Sequence, residues 1–321
     1  MKLGLYFDLR NPEPWARPWP EVYGRALDLV VEAEQLGAAS VWFSEHHLFA
    51  DGYLPQPLTF AAAAAARTSR VRIGTAVLLA ALRPASLVAE EVAVIDQLAN
   101  GRLELGIGAG YSVPEYELYN TDISKRYGLT DAAVTEIRRL LDDGIVTPPA
   151  AQNPFPIWLG YQGPQGAKRA GRLGVGLLSL DRALLEPYRE GLVEGGHSPA
   201  VARTGGMLDI IVADDPEAAF ERILPHYAHQ LNSYRAAAAA GSGRDAPKEI
   251  TIEKLRGGAA KTGQIPGLRV LTPADSIAAI KEATNGSPVE HVYLWASVAG
   301  MPDELVERHV ELTCTRVAPY L

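Results

Sequence analysis

Glu45, His46 and His47 stand side by side at the end of an apolar run, in the stretch SVWFSEHHL (Ser40–Leu48). An imidazole at a strand end is suited to proton transfer near neutral pH, and imidazoles beside a carboxylate could also ligate a metal. Consecutive strand residues point to opposite faces, so His46 and His47 are poorly placed to chelate one ion together. No second His/Asp/Glu cluster sits at another strand end to complete a metal set, and none is expected. The pattern predicts one histidine in a pocket and its neighbour packed and hydrogen-bonded. Two glycine-rich turns follow. GIGAGY (Gly106–Tyr111) brings backbone close to a ligand or simply turns at a rim, and with no helix expected directly after it a dinucleotide fold is disfavoured. GYQGPQG (Gly160–Gly166) runs from a strand into a helix opened by Pro164, and a free helix N-terminus favours an anion such as phosphate. Lys168 and Arg169 lie one turn further on.

These residues need a scaffold that gathers strand ends. Apolar strand-like runs occur at Leu3–Asp8, Ser40–Phe43, Val71–Leu79, Leu103–Ile107, Ile157–Gly160, Val175–Ser179, Leu208–Val212 and Val289–Trp295. Helical periodicity fills most of the intervals, with Gly37 and Asn100-Gly101 as stops. Continuous apolar strands, as opposed to alternating ones, are those covered on both faces. Eight βα units in 321 residues predict a single-domain (β/α)8 TIM barrel, whose C-terminal strand ends carry the site. The interval 236–267, alanine-rich and then rich in Gly, Lys and Pro, is long for a connection and is expected to be a mobile loop near the barrel mouth.

Composition excludes several classes. A net charge of −8 argues against nucleic acid, which needs a clustered basic surface. The single cysteine, Cys314, rules out an internal disulfide and suits a reducing cytoplasm. No apolar run reaches the length of a membrane span, and the start, MKLGLYFDLR, lacks a signal-peptide pattern.

Taken together, SVWFSEHHL, the block from Val71 to Tyr111 (VRIGTAVLL, RPASLVAEEVAVIDQLANGRLELGIGAGY), PIWLGYQGPQGAKRAGRLG (Pro156–Gly174) and the C-terminal stretch His291–Leu321 resemble the bacterial-luciferase-like flavin-dependent oxidoreductases. The resemblance covers about two thirds of the chain in the family's order. It implies a barrel that binds FMN, or the related deazaflavin, at its C-terminal strand ends, with His46 as the active-site histidine. It also implies a non-prolyl cis peptide at Ala76–Val77 supporting the ring system, cofactor contacts from Gly110 and Tyr111, and a phosphate site at Gln162, Gly163 and Gly166. Two departures stand out: Ala109 replaces an arginine, and the phosphate loop has Gln162, Gly163 and Gly166 where relatives carry a carboxylate and hydroxyls. Each lost charge-assisted bond is worth roughly 1.5–3 kcal/mol. The segment 121–156 is also short for the family.

The reading is a monooxygenase using reduced FMN and O2 on a small organic substrate, with a separate flavin reductase as a candidate partner and a homodimer as the expected assembly. Two alternatives accompany it: a deazaflavin-dependent hydride-transfer oxidoreductase, and a flavin-binding barrel without efficient catalysis.

Overall fold

The computed structural model describes residues 1–256 and 267–321. Its strands are β1 (Lys2–Phe7), β2 (Ser40–Phe43), β3 (Arg72–Thr75), β4 (Leu103–Ile107), β5 (Ile157–Leu159), β6 (Gly176–Leu178), β7 (Thr204–Leu208), β8 (Ile210–Val212), β9 (Arg269–Leu271) and β10 (Val289–Trp295). The helices are α1 (Trp19–Leu36), α2 (Pro57–Arg67), α3 (Ala85–Leu98), α4 (Val113–Leu118), α5 (Arg126–Asp142), α6 (Gly163–Arg172), α7 (Leu185–Glu194), α8 (Pro216–Ala239), α9 (Ile252–Arg256), α10 (Pro273–Thr284) and α11 (Asp303–Leu312). Eight parallel strands close in the order β1-β10-β7-β6-β5-β4-β3-β2, the (β/α)8 barrel that the sequence predicts. Among the described residues no helix is long and apolar enough to cross a membrane.

Large side chains fill the barrel because neighbouring strands make room for them. Trp42 on β2 lies against Gly74 of β3, where an added Cβ would sit 2.2 Å from the indole. Trp158 on β5 lies in the same way against Gly176 of β6, also at 2.2 Å. Low in the barrel, Glu104 accepts from Arg72 Nε at 2.5 Å and from Trp158 Nε1 at 2.8 Å. Burial opposes its ionisation, but His291 and Arg72 beside it hold the carboxyl down to about 2. The floor is therefore a packed plug, and only the other end is open to chemistry. Register brings that end together: Phe43 pairs with Phe7 on one side and Thr75 on the other, so the residues after these strands emerge at one level.

Two expectations are corrected, and the third interval is described as far as the structure reaches. The seventh barrel strand is Thr204–Leu208, while Ile210–Val212 pairs outside the barrel with β9. The β-branched run packs in a second apolar cluster with Ile280, Val292 and Leu294, and the true strand was hidden by Gly205-Gly206. A helix does follow GIGAGY closely, namely α4, although the closed barrel still excludes a dinucleotide fold. The interval 236–267 begins inside α8, which continues to Ala239 because alanine is the best helix former. Beyond it, Ile250 and Leu255 are buried, Asn232 exchanges two 2.9 Å hydrogen bonds with the Ile250 backbone, and residues 257–266 lie outside the described residues.

Candidate active site

At the mouth the two imidazoles diverge. His47 is buried; its Nε2 donates to Glu45 Oε1 at 2.8 Å. The same carboxylate accepts from Arg83 at 2.5 Å and from the Leu79 backbone at 2.8 Å, which ties β2 to the end of β3. His47 is a structural residue by these contacts. His46 faces the mouth, with its side chain 13% exposed.

Its partner is Glu115, a residue the sequence reading missed. Glu115 Oε1 accepts from His46 Nδ1 at 2.8 Å and from the His47 backbone at 2.9 Å. A carboxylate only accepts, so Nδ1 carries the proton, and Nε2 is left as the ring's free acceptor, unpartnered among the described residues. Glu115 is fully buried, and its Oε2 has no partner among the described residues. It sits in the first turn of α4, where the helix dipole favours a negative charge. The signal available was VPEYEL, an acid behind a proline directly after the glycine turn.

An aromatic wall surrounds His46. Ring centroids of Tyr53, Phe49, Tyr111 and Tyr234 lie 4.7, 4.8, 5.3 and 6.0 Å from the imidazole. Tyr234 arrives from α8, whose C-terminal half reaches the mouth. The Tyr53 hydroxyl bonds to those of Tyr6 (3.1 Å) and Tyr234 (2.7 Å). Behind them Arg10 pairs with Asp51 at 2.7 Å and also bonds Ser233, while His229 reaches Asp51 at 2.8 Å. Asp8, almost fully buried, is pushed up to about 7 by that burial, with Arg10 pulling it back and Asp51 adding to the rise.

The other expected residues fall in two groups. The Ala76–Val77 peptide is cis, and these two residues are half-exposed amid buried neighbours, so they face the open mouth. Val77 lies against two glycines, Gly108 and Gly160, where a Cβ would come within 2.3 and 2.6 Å of its methyl carbons. Gly110 adopts φ +64°, which swings the exposed Tyr111 toward His46. Gln162 and Gly163 form the start of α6, which no side chain caps. Gly166 is required by packing, because a Cβ there would sit 2.7 Å from the Tyr161 Cβ. Lys168 and Arg169 are engaged elsewhere, with Glu190 and Glu194 and with Asp131 respectively. Phe7, Trp158 and Trp295 are buried core.

A phosphate-bearing ring system fits these residues. The free N–H groups of α6 suit the anion. Arg126, at the start of α5, keeps a buried Nε without a partner among the described residues and stacks over Tyr127 at 4.6 Å, itself against Tyr161 at 5.4 Å. This cation is a second residue missed from sequence, since its chain position, 17 residues beyond Ala109, gives no hint of it. Size alone would mislead: a larger hollow of about 710 Å³ lies at the opposite end, lined by residues such as Met1, Lys281 and Leu321.

Comparison with known proteins agrees with the barrel fold. Residues 1–264 match the family model described as luciferase-like monooxygenase. An F420-dependent glucose-6-phosphate dehydrogenase of Kineococcus radiotolerans is 32% identical over 232 residues, covering 62% of this chain and 67% of that protein. The chain spans about half to two thirds of the length of several curated relatives that it matches. Among solved structures, the monooxygenase RslO1 from Streptomyces bottropensis superposes with a TM-score of 0.79 at 24% identity, covering 100% of this chain and 99% of that one. The oxygenating constituent of 3,6-diketocamphane monooxygenase from Pseudomonas putida, solved with FMN, gives 0.74 at 18% identity, with 100% and 98% covered. With more than half its length matched by the family model, and with the barrel in place, the chain belongs to the luciferase-like monooxygenase family.

Proposed function

We propose that this protein is an oxidoreductase that binds a flavin or deazaflavin at the barrel mouth, and that reduced FMN with O2 acts there on a small organic substrate. The observation that carries the reading is the Glu115–His46 pair beside the half-exposed Ala76–Val77 step. Ala76, Val77, Gly110 and Tyr111 would line the ring system. Gln162, Gly163 and the α6 N-terminus, with Arg126, would hold its phosphate. The bound group supplies electron transfer and, as FMN, the activation of O2.

The chain's own work is proton management and exclusion of water. With Nδ1–H fixed on Glu115, His46 takes a proton at Nε2 and returns it from there. The Phe49, Tyr53 and Tyr234 rings pack around the imidazole and give the site an apolar wall. Hydride transfer with the deazaflavin F420 is the second reading, favoured by the F420-dependent relative that matches this chain at 32% identity. Both use the same histidine. A separate reductase would supply reduced FMN in the first reading only. Leu87, Val94 and Leu98, exposed along α3, support a homodimer.

Fluorescence titration with FMN and with F420 tests the proposal. Binding of neither, even at high micromolar concentration, sinks it. His46→Ala should leave the affinity little changed while turnover falls about 10²–10⁴-fold.

A further inference from the structure

A cleft of about 500 Å³ opens on the outer side of the segment that carries His46 and His47, and both imidazoles line it. Its volume lies in the usual range for small-molecule sites, about 300–1,000 Å³. The other walls are apolar or aromatic, chiefly Trp19, Tyr23, Phe49, Tyr53 and Leu118. No lysine, arginine, aspartate or glutamate lines it among the described residues. Arg10 stands 5.1 and 5.6 Å from the Tyr53 and Phe49 rings, but it does not line the cleft and is paired with Asp51.

The rim is held open. Trp19 is 43% exposed, Leu48 66% and Leu118 51%, a concentration of large apolar side chains facing solvent at one spot. Trp19 is nonetheless fixed: Gly52, at φ +65°, leaves room for the indole, whose Cη2 would lie 2.0 Å from a Cβ there. Leu48 takes φ +62°, a left-handed conformation uncommon for a non-glycine residue. The Tyr53 hydroxyl is already engaged by Tyr6 and Tyr234, so this wall offers a ring edge or face and little hydrogen bonding.

We infer that this cleft binds an uncharged, planar aromatic molecule of two or three fused rings, stacked on Trp19 and presented to His46 as the substrate of the proposed oxidoreductase. The inference rests on that reading for the word substrate, and on the cleft alone for the ligand's chemistry. A phosphorylated or carboxylated compound would enter without a cation to meet it, and a sugar would lose water hydrogen bonds to apolar walls. The half-exposed Trp19 indole is the stacking surface the site offers, with Phe49 and Tyr53 as apolar wall behind it.

Equilibrium dialysis of 2-naphthol against the full-length protein at pH 7, with and without saturating cofactor, tests this. Micromolar binding is expected. 2-Naphthyl phosphate, the same ring with a charge, should bind at least tenfold more weakly. Trp19→Ser and Leu118→Asp should each weaken 2-naphthol at least tenfold with cofactor affinity unchanged. Equal affinity for the phosphate ester, or wild-type affinity in both variants, overturns the inference. So does loss of 2-naphthol binding in Leu118→Asp that tracks dissociation of an oligomer on gel filtration, because the cleft would then be covered by a second copy. If 2-naphthol binds but neither cofactor does, the oxidoreductase reading fails and the aromatic site stands.

Discussion

At the scale of single residues, the chemistry of His46 is set by what its far nitrogen touches. Glu115 accepts from Nδ1 and from the next backbone amide, so the ring's orientation and tautomer are fixed together. Glu115→Gln keeps the shape but removes the obligate acceptor. We expect kcat to fall about 10–100-fold, the size seen when a supporting carboxylate behind a functional histidine is lost. Cofactor affinity should stay unchanged, and 15N NMR should show His46 losing its fixed Nδ1–H form, which a merely structural loss would not produce. Asp8 gives a second test. Its folded pKa, about 7, lies above the ordinary value of 3.8, so the native state holds a proton that the unfolded chain releases. Stability therefore falls as pH rises from about 4 to about 7 and stays lowered above that. Asp8→Asn should remove this loss. The variant's gain over wild type should be near zero at pH 4 and reach up to about 4 kcal/mol at pH 8, taking 1.36 kcal/mol per pKa unit, as read by urea melts across that range. Of these residues only His46 was legible in the sequence. Glu115 and Asp8 are ordinary acids until the fold buries them beside an imidazole and an arginine.

At the scale of elements, the pieces that read well are those with a periodic apolar face or a punctuating residue. β4 and β10 have the bounds that their sequences suggest, and α1 ends on Gly37 in the left-handed conformation. β7 was missed because its glycines carry no pattern. They are required by space, since a Cβ on Gly205 would lie 2.9 Å from the His291 carbonyl. α10 was also missed, although Thr272 with Asp275 three residues on is a capping signal, and the Thr272 hydroxyl does accept from the Asp275 amide. The strand pair outside the barrel depends on one histidine. His309 of α11 accepts from the Val212 amide at 2.8 Å and donates to the Trp295 carbonyl at 2.7 Å, which joins β8 to the end of β10. Burial holds this imidazole down to about 4, against 6.5 ordinarily, despite the hydrogen bond to Trp295 that favours the charged form. Its contribution is complete above pH 6.5 and is lost as pH falls toward 4. His309→Leu should cost about 2–4 kcal/mol at pH 7.5, because two buried backbone groups lose their partners. The gap from wild type should narrow as pH falls through that window, and thermal melts at several pH values would show it.

At the scale of the whole molecule, the barrel works as a rigid ring with a packed floor and a polar, aromatic mouth. A cofactor that binds only the folded barrel should stabilise it by about 2.7 kcal/mol at a hundred times its Kd. Thermal melts with FMN and with F420 should therefore rank the two, and a Tm unmoved by either would contradict the cofactor site. Some of this molecule is determined by sequence alone. Eight buried apolar strands separated by helical intervals admit few closed arrangements, and residues after those strands must meet at one end. That reasoning placed Glu45–His47 and the start of α6 at the mouth, while the choice of His46 and the Ala76–Val77 step came from the family resemblance. Tertiary structure decided the rest: that Glu115 of α4 sits behind His46, that Arg126 keeps a buried nitrogen without a partner among the described residues while Lys168 and Arg169 pair with carboxylates, and that Tyr234 of α8 closes the aromatic wall. The physical reason is sequence distance. Glu115 stands 69 residues from His46, and Tyr234 stands 181 from Tyr53. Such partners leave no local periodicity, and only closing the barrel brings them within hydrogen-bonding range.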